Sequence, residues 1–228
     1  SSVFTHAEGF NNSAAGGGVK HIEGMDNVIT SYTSAAVHVE GEQNTATDGS
    51  EGCHIEGAHN TTNSGATYCH VEGEHNIGSG ASSHIEGGYN TVNPGGNYNH
   101  IEGNNNTIAA GVTRVHVEGQ YHNIPAGSLN GIYGAHIGGY ACNPTGLNTA
   151  NPAIEVIGNG NVSGNTINGS NARVLRRHGD ETLAGKLTIG GTPIDANDVI
   201  TIQFLIDNLA DAYDNTATYA LDAIVLYQ

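Results

Sequence analysis

Eight copies of a His-x-Glu-Gly tetrapeptide stand at near-equal intervals along the first part of this chain, and they limit its fold more than any other feature. They begin at His6, His21, His38, His54, His70, His84, His100 and His116, and a degenerate ninth, His136-Ile-Gly-Gly139, closes the series. Successive histidines lie 15, 17, 16, 16, 14, 16, 16 and 20 residues apart. An asparagine follows six residues after each of the first seven (Asn12, Asn27, Asn44, Asn60, Asn76, Asn90 and Asn106); in the eighth repeat it slips by one, to Asn123. A fixed period of this length is the signature of a repeat architecture. Sixteen residues are too few for a helical hairpin and suit one coil of two short strands and two turns.

Within each motif the pattern is that of a half-buried strand, with β-branched Ile or Val between two polar residues. Gly and Asn at fixed offsets supply the positive φ of tight turns. The second half of each coil, such as Asn60-Thr-Thr-Asn-Ser-Gly65, reads as another short strand ending in Gly. Rungs stacked at ~4.8 Å make nine coils a rod on the order of 40 Å long. Composition agrees. Of 228 residues 34 are Gly, none is Trp, three are Phe and one is Met, so no thick globular core is expected. One coil reads as too thin to shield its own interior, and parallel strands usually need cover on both faces. Association of copies along the rod axis, threefold before other cyclic symmetries, is the expected solution.

The motif and its sequel resemble the head repeats of trimeric autotransporter adhesins, which phage tail-fibre and other virion fibre proteins also carry. The resemblance covers residues 1 to about 140 and rests on the number of copies of the motif. It implies a trimeric left-handed parallel β-roll. A second resemblance, to the segment that follows such repeats in phage tail proteins, covers roughly 153–192. It is carried by Ala153-Ile-Glu-Val-Ile-Gly-Asn-Gly160, Ser170-Asn-Ala-Arg-Val-Leu175, Gly179 and Leu187-Thr-Ile-Gly-Gly191, and implies a β-rich trimeric connector. Too few residues follow the repeats for an adhesin's stalk and membrane barrel. The expectation is therefore a virion fibre of a phage, a spacer with host-surface binding. A bacterial extracellular trimeric adhesin or filament subunit is the alternative.

Three segments are expected: a β-solenoid over 1–142, a β-rich connector over 143–192 and a C-terminal segment over 193–228. In the last, Ile202, Leu205, Ile206, Leu209 and Tyr213 fall at helical spacing, which predicts a short helical trimerisation or attachment element. The fold class is thus all-β with that helical addition.

His and Glu of each motif share one face of their strand, and Ile or Val takes the other. Stacking then yields an imidazole ladder (His6, His21, His38, His54, His70, His84, His100, His116) and a carboxylate ladder (Glu8, Glu23, Glu40, Glu56, Glu72, Glu86, Glu102, Glu118). The favoured reading is structural: each His donates to a Glu of its own or a neighbouring chain. Stability should then fall at both pH extremes. The resemblance adds that adhesin heads often carry apolar residues at these positions, so the face is expected to meet neighbouring chains. Imidazole and carboxylate also suit Zn, Ni or Fe, but ladders do not converge on a point, and no metal or cofactor is expected. Catalysis is disfavoured because active sites are seldom repeated eight times.

Tyr68, Tyr89, Tyr98 and Tyr121, beside Asn-rich turns, are candidates for a sugar-binding surface on such a rod. His59, His75 and His122 read as solvated turn residues. Cys53 and Cys69 precede their repeat histidines at equivalent positions, close enough for either a disulfide or a pair of free thiols. Acidic residues outnumber basic ones 22 to 6. That balance argues against a nucleic-acid partner. Four of the six basic residues (Arg173, Arg176, Arg177, Lys186) crowd the connector, where neutralising the acidic rod end is the default role. No run of about 20 apolar residues suggests a membrane span.

Overall fold

A computed structural model describes residues 4–30, 36–127, 134–142, 144, 153–164, 166–177, 179 and 181–184. Among these the chain is all-β with no helix, and the repeats form a β-solenoid of about eight turns. Ser1–Lys186 is one compact unit. The second unit, Leu187–Gln228, and with it the expected helical segment, lies outside the described residues.

Each coil contributes one strand to a wide sheet and one to a narrow sheet. The wide sheet is built from Phe4–Ala7, Val19–Met25, Val37–Glu42, His54–Ala58, His70–Glu74, His84–Gly88, His100–Asn104, Val115–Gln120 and Ala135–Tyr140 in sequence order, all parallel. Every motif histidine is the register partner of the next, from His6 to His136. The narrow sheet consists of two-residue strands from Ser13–Ala14 to Asn123–Ile124, again parallel and in order.

The interior is closed by a single chain, contrary to the expectation that one coil cannot shield it. Ile22, Val39, Ile55, Val71, Ile85, Ile101, Val117 and Ile137, the central residues of the motifs, are fully buried. They face Ile29, Ala46, Thr62, Val92, Ile108 and Ile124 from the narrow sheet, also fully buried. The residue before each motif histidine closes the third side: Val37, Cys53, Cys69, Ser83, Asn99 and Val115 are at most 2% exposed. The reason is thickness. The two sheets are so close that one layer of β-branched side chains fills the gap, each contributing about 1.5–3 kcal/mol.

The motif glycine follows from the same closeness. Gly9 to Gly139 hold φ between 89° and 131°, and a β-carbon on any of them would lie 1.9–2.5 Å from the carbonyl oxygen of the next rung's glycine. Only Gly allows the rungs to stack at this spacing.

Length variation among repeats is confined to one corner. From histidine to narrow strand the count is constant, so that Val28 follows His21 as Thr61 follows His54. The long and short repeats differ only between the narrow strand and the next wide strand, at its shortest between Gly78 and Ser83 and at its longest between Ile124 and Ala135.

The wide sheet runs on past residue 142. Ala153–Asn159 adds in parallel to Ala135–Tyr140, and Asn171–Arg176 and Glu181–Leu183 follow antiparallel. The connector is therefore a continuation of the repeat sheet. Arg173 pairs with Glu155 at 2.6 Å and with Glu181, both of them in the connector and not on the acidic repeats.

Candidate functional site

Alternation places the motif His and Glu side chains on the outer face of the wide sheet, opposite the buried Ile and Val. The imidazoles stack in one column. From His6 to His116 successive ring centroids are 4.5–4.9 Å apart and the planes stay within 22° of parallel. The last step, to His136, is 5.2 Å and tilted by 47°. Five of the histidines lie within 4.0 Å of the glutamate of their own strand: His6 and Glu8 at 3.5 Å, His21 and Glu23, His38 and Glu40, and His100 and Glu102 at 3.7 Å, and His70 and Glu72 at 4.0 Å. These are longer than hydrogen bonds. The Nε2 atoms of His21, His38, His54, His70, His84, His100 and His116 are enclosed and have no hydrogen-bond partner within the chain.

Burial and flanking imidazoles, in that order, push His38 and His100 below the ordinary imidazole range, against the raising influence of nearby carboxylates. Stacked rings at this spacing disfavour adjacent positive charges. These two rings are therefore neutral at pH 7, and for them the expected loss of stability at both pH extremes becomes a loss on the acid side.

Donor atoms do gather. His38, Glu40 and His54, and again His70, Glu72 and His84, lie with one donor each within 4.8 Å of one another, as do Glu86, His100 and Glu102. A histidine binds a metal along its in-plane lone pair at ~2.0–2.1 Å. His70 and His84 are parallel, 4.8 Å apart, so their lone pairs run side by side and no single ion meets both. The same holds at 15° for His38 and His54.

The asparagines are placed differently from the sequence expectation. Positive φ falls on the residue before each of them, including Asp26, Gln43, His59, His75 and Tyr89. Asn27, Asn44, Asn60, Asn76, Asn90 and Asn106 are themselves fully buried. From Asn27 to Asn90, Nδ2 donates to the carbonyl of the motif Glu four residues back (2.7–3.0 Å) and to the motif Gly carbonyl of the next rung (2.7–2.8 Å). Oδ1 accepts from the next asparagine's backbone N–H. This spine runs through the solenoid.

In the eighth repeat the spine position is His122, fully buried, and neither Asn123 nor solvent takes it. Its N–H donates to Asn106 Oδ1 at 3.0 Å, Nε2 meets the Glu118 carbonyl at 3.1 Å, and Nδ1 accepts the Cys142 N–H at 3.1 Å. The signal was present: His122 stands six residues after His116, the offset of every spine asparagine. Residue type hid it. His75 is half-buried rather than solvated, with Nδ1 3.3 Å from Glu74.

The four candidate tyrosines do not form one surface. Tyr68 and Tyr98 sit at the corner two residues before a motif histidine, and Tyr89 and Tyr121 at the corner five residues after one. At the second corner the ring of His75 stacks on Tyr89 at 4.7 Å and meets His59 at 4.6 Å with the planes tilted by 39°. That uses faces a sugar would need. At the first corner Tyr68 lies over Gly52, where a β-carbon would come within 2.6 Å of the ring, and the Arg114 guanidinium lies 5.5 Å from the Tyr98 centroid.

Cys53, Cys69 and Cys142 are free and buried. Cys53 Sγ donates to the Ala66 carbonyl and Cys69 Sγ to that of Gly80. The neighbouring Cys69 sulfur and, after it, burial push the Cys53 thiol up; burial pushes Cys142 up to about 12. All three positions belong to the structural core. Comparison with protein-family models, curated proteins and solved structures finds no match for this chain.

Proposed function

We propose that the chain is a non-catalytic structural fibre of a phage particle, a homotrimeric left-handed β-roll that serves as spacer and host-surface binder. The observation that carries this reading is the unbroken column of imidazoles on the outer face of the wide sheet. One side of a nine-rung parallel sheet is left as a straight strip of stacked, half-exposed rings. Parallel sheets are ordinarily covered on both faces, and the inner face is already filled by the chain's own Ile and Val. In the proposed trimer the copies cover the remaining face, with each imidazole row beside the next copy's carboxylates. The case for association thus rests on this outer face and no longer on a thin interior.

The chemistry is repeated where an active site would be singular, and its sites are spaced evenly along an axis, as in an element that sets a distance. Host contact is assigned to the corners, where Tyr68 and Tyr98 present exposed rings (70% and 58%). The test is a cross-link. With Glu72→Cys on the ladder face, a three-armed maleimide should join chains into a covalent trimer, because the three native thiols are buried. Tyr98→Cys, at a corner, should give far less. Glu72→Cys protein that remains single chains throughout would refute the seam.

A further inference from the structure

His122 ends the asparagine spine, and a histidine there does something an asparagine cannot. An asparagine amide has a fixed donor and a fixed acceptor. An imidazole reproduces the pattern only in its neutral form with the proton on Nε2. Nε2–H then serves the Glu118 carbonyl and that of Gly139 on the next rung, and bare Nδ1 accepts the Cys142 N–H. Adding a proton to Nδ1 turns the acceptor into a donor aimed at another donor, in a fully enclosed position.

We infer that His122 is a proton-sensitive latch at the junction between solenoid and connector, closed at neutral pH and opened by acidification to release the Cys142 corner. The latch lies where the architecture changes. Cys142 ends the last repeat coil, and Ala153–Asn159, the first connector strand, pairs with Ala135–Tyr140 directly before it. No other described spine position titrates in this range: the earlier ones are asparagines, and the Cys142 thiol stays protonated through neutral pH.

The described residues around His122 offer no carboxylate that would hold an imidazolium. The strand Val115–Gln120 presents the Glu118 carbonyl, while the Glu118 carboxylate lies 3.5 Å from His136 on the outer face. The preceding corner presents the neutral Asn106 amide, and the following coil presents the Gly139 carbonyl and Cys142. Burial lowers the pKa of His122, and the two backbone carbonyls only partly offset it. A folded-state pKa below the unfolded value means the corner's stability is complete above the ordinary imidazole pKa and declines as pH falls below it.

Hydrogen–deuterium exchange on the full chain, corrected for the intrinsic pH dependence of exchange, tests this at about pH 7.5 and about pH 5. Amides of residues 135–142 should exchange roughly tenfold faster relative to those of residues 54–90 at the lower pH. His122→Asn restores the spine residue of the earlier rungs without a titrating group, and should abolish that excess. An excess that persists in His122→Asn overturns the latch. So does a wild-type profile that shows no excess at all, which decides the matter even if the variant fails to fold.

Discussion

At Asn60 one residue joins three rungs. Its Nδ2 holds the Glu56 and Gly73 carbonyls at 2.8 Å each, its Oδ1 holds the Asn76 N–H at 2.9 Å, and its own N–H is held by Asn44. Asn60 is itself fully buried, so each bond lost leaves a polar group in the interior unsatisfied at about 1–3 kcal/mol. Asn60→Asp keeps the shape but cannot donate, and it places a charge at a fully buried site. We expect a loss of at least about 3 kcal/mol, with a large drop in the urea midpoint. Asn60→His, the residue the chain itself uses at position 122, should cost less than Asp at pH 8. The offset of six residues was legible in the sequence, but its meaning was not. Asparagine is common in turns for its tolerance of positive φ, and spacing alone does not distinguish a turn residue from a buried bridge. The positive φ belongs to the residue before, which is Asp26, Gln43, His59 or Tyr89 in turn.

Single elements divide into a fixed half and an adjustable half. The segment from motif histidine to narrow strand holds the stacked glycine and the spine residue, and it has one length throughout. The opposite corner varies in length from repeat to repeat, and at Gly111 a β-carbon would meet nothing within 4 Å. Inserting Gly-Ser after Gly111 should therefore cost less than about 1 kcal/mol. The same insertion after Gly103 displaces Asn106 from its bonds to Asn90, Gly119 and His122 and should cost at least about 3 kcal/mol; paired urea titrations compare the two. The imidazole column sets a pH dependence at this scale. His38 and His100 bind protons less readily in the fold than in the unfolded chain, so unfolding free energy rises with pH. Melting temperature should hold steady above the ordinary imidazole pKa of 6.5 and fall as pH drops below it. A fall on the alkaline side at pH 8 to 9 would instead mean charged His–Glu pairing. The alternating pattern placed the column on one face. Burial and ring–ring spacing, which decide its charge state, required the structure.

At the scale of the whole molecule, the repeat period gave away the solenoid because every coil closes on the same short list of residues, His-x-Glu-Gly and the spine position six after the histidine. The closed interior could not be foreseen from composition. A glycine-rich chain short of large apolar residues looks too thin to seal itself, yet one layer of Ile and Val between sheets this close leaves Ile55 and Ile101 without exposure. What stays open in a single chain is the outer imidazole face, and covering it is the main reason to expect association. The most direct measurement is the mass of the native assembly at neutral pH, by sedimentation equilibrium or native mass spectrometry. A particle of three times 23.4 kDa that holds together on dilution is the expected result; a stable single chain of 23.4 kDa with a full melting transition would contradict it.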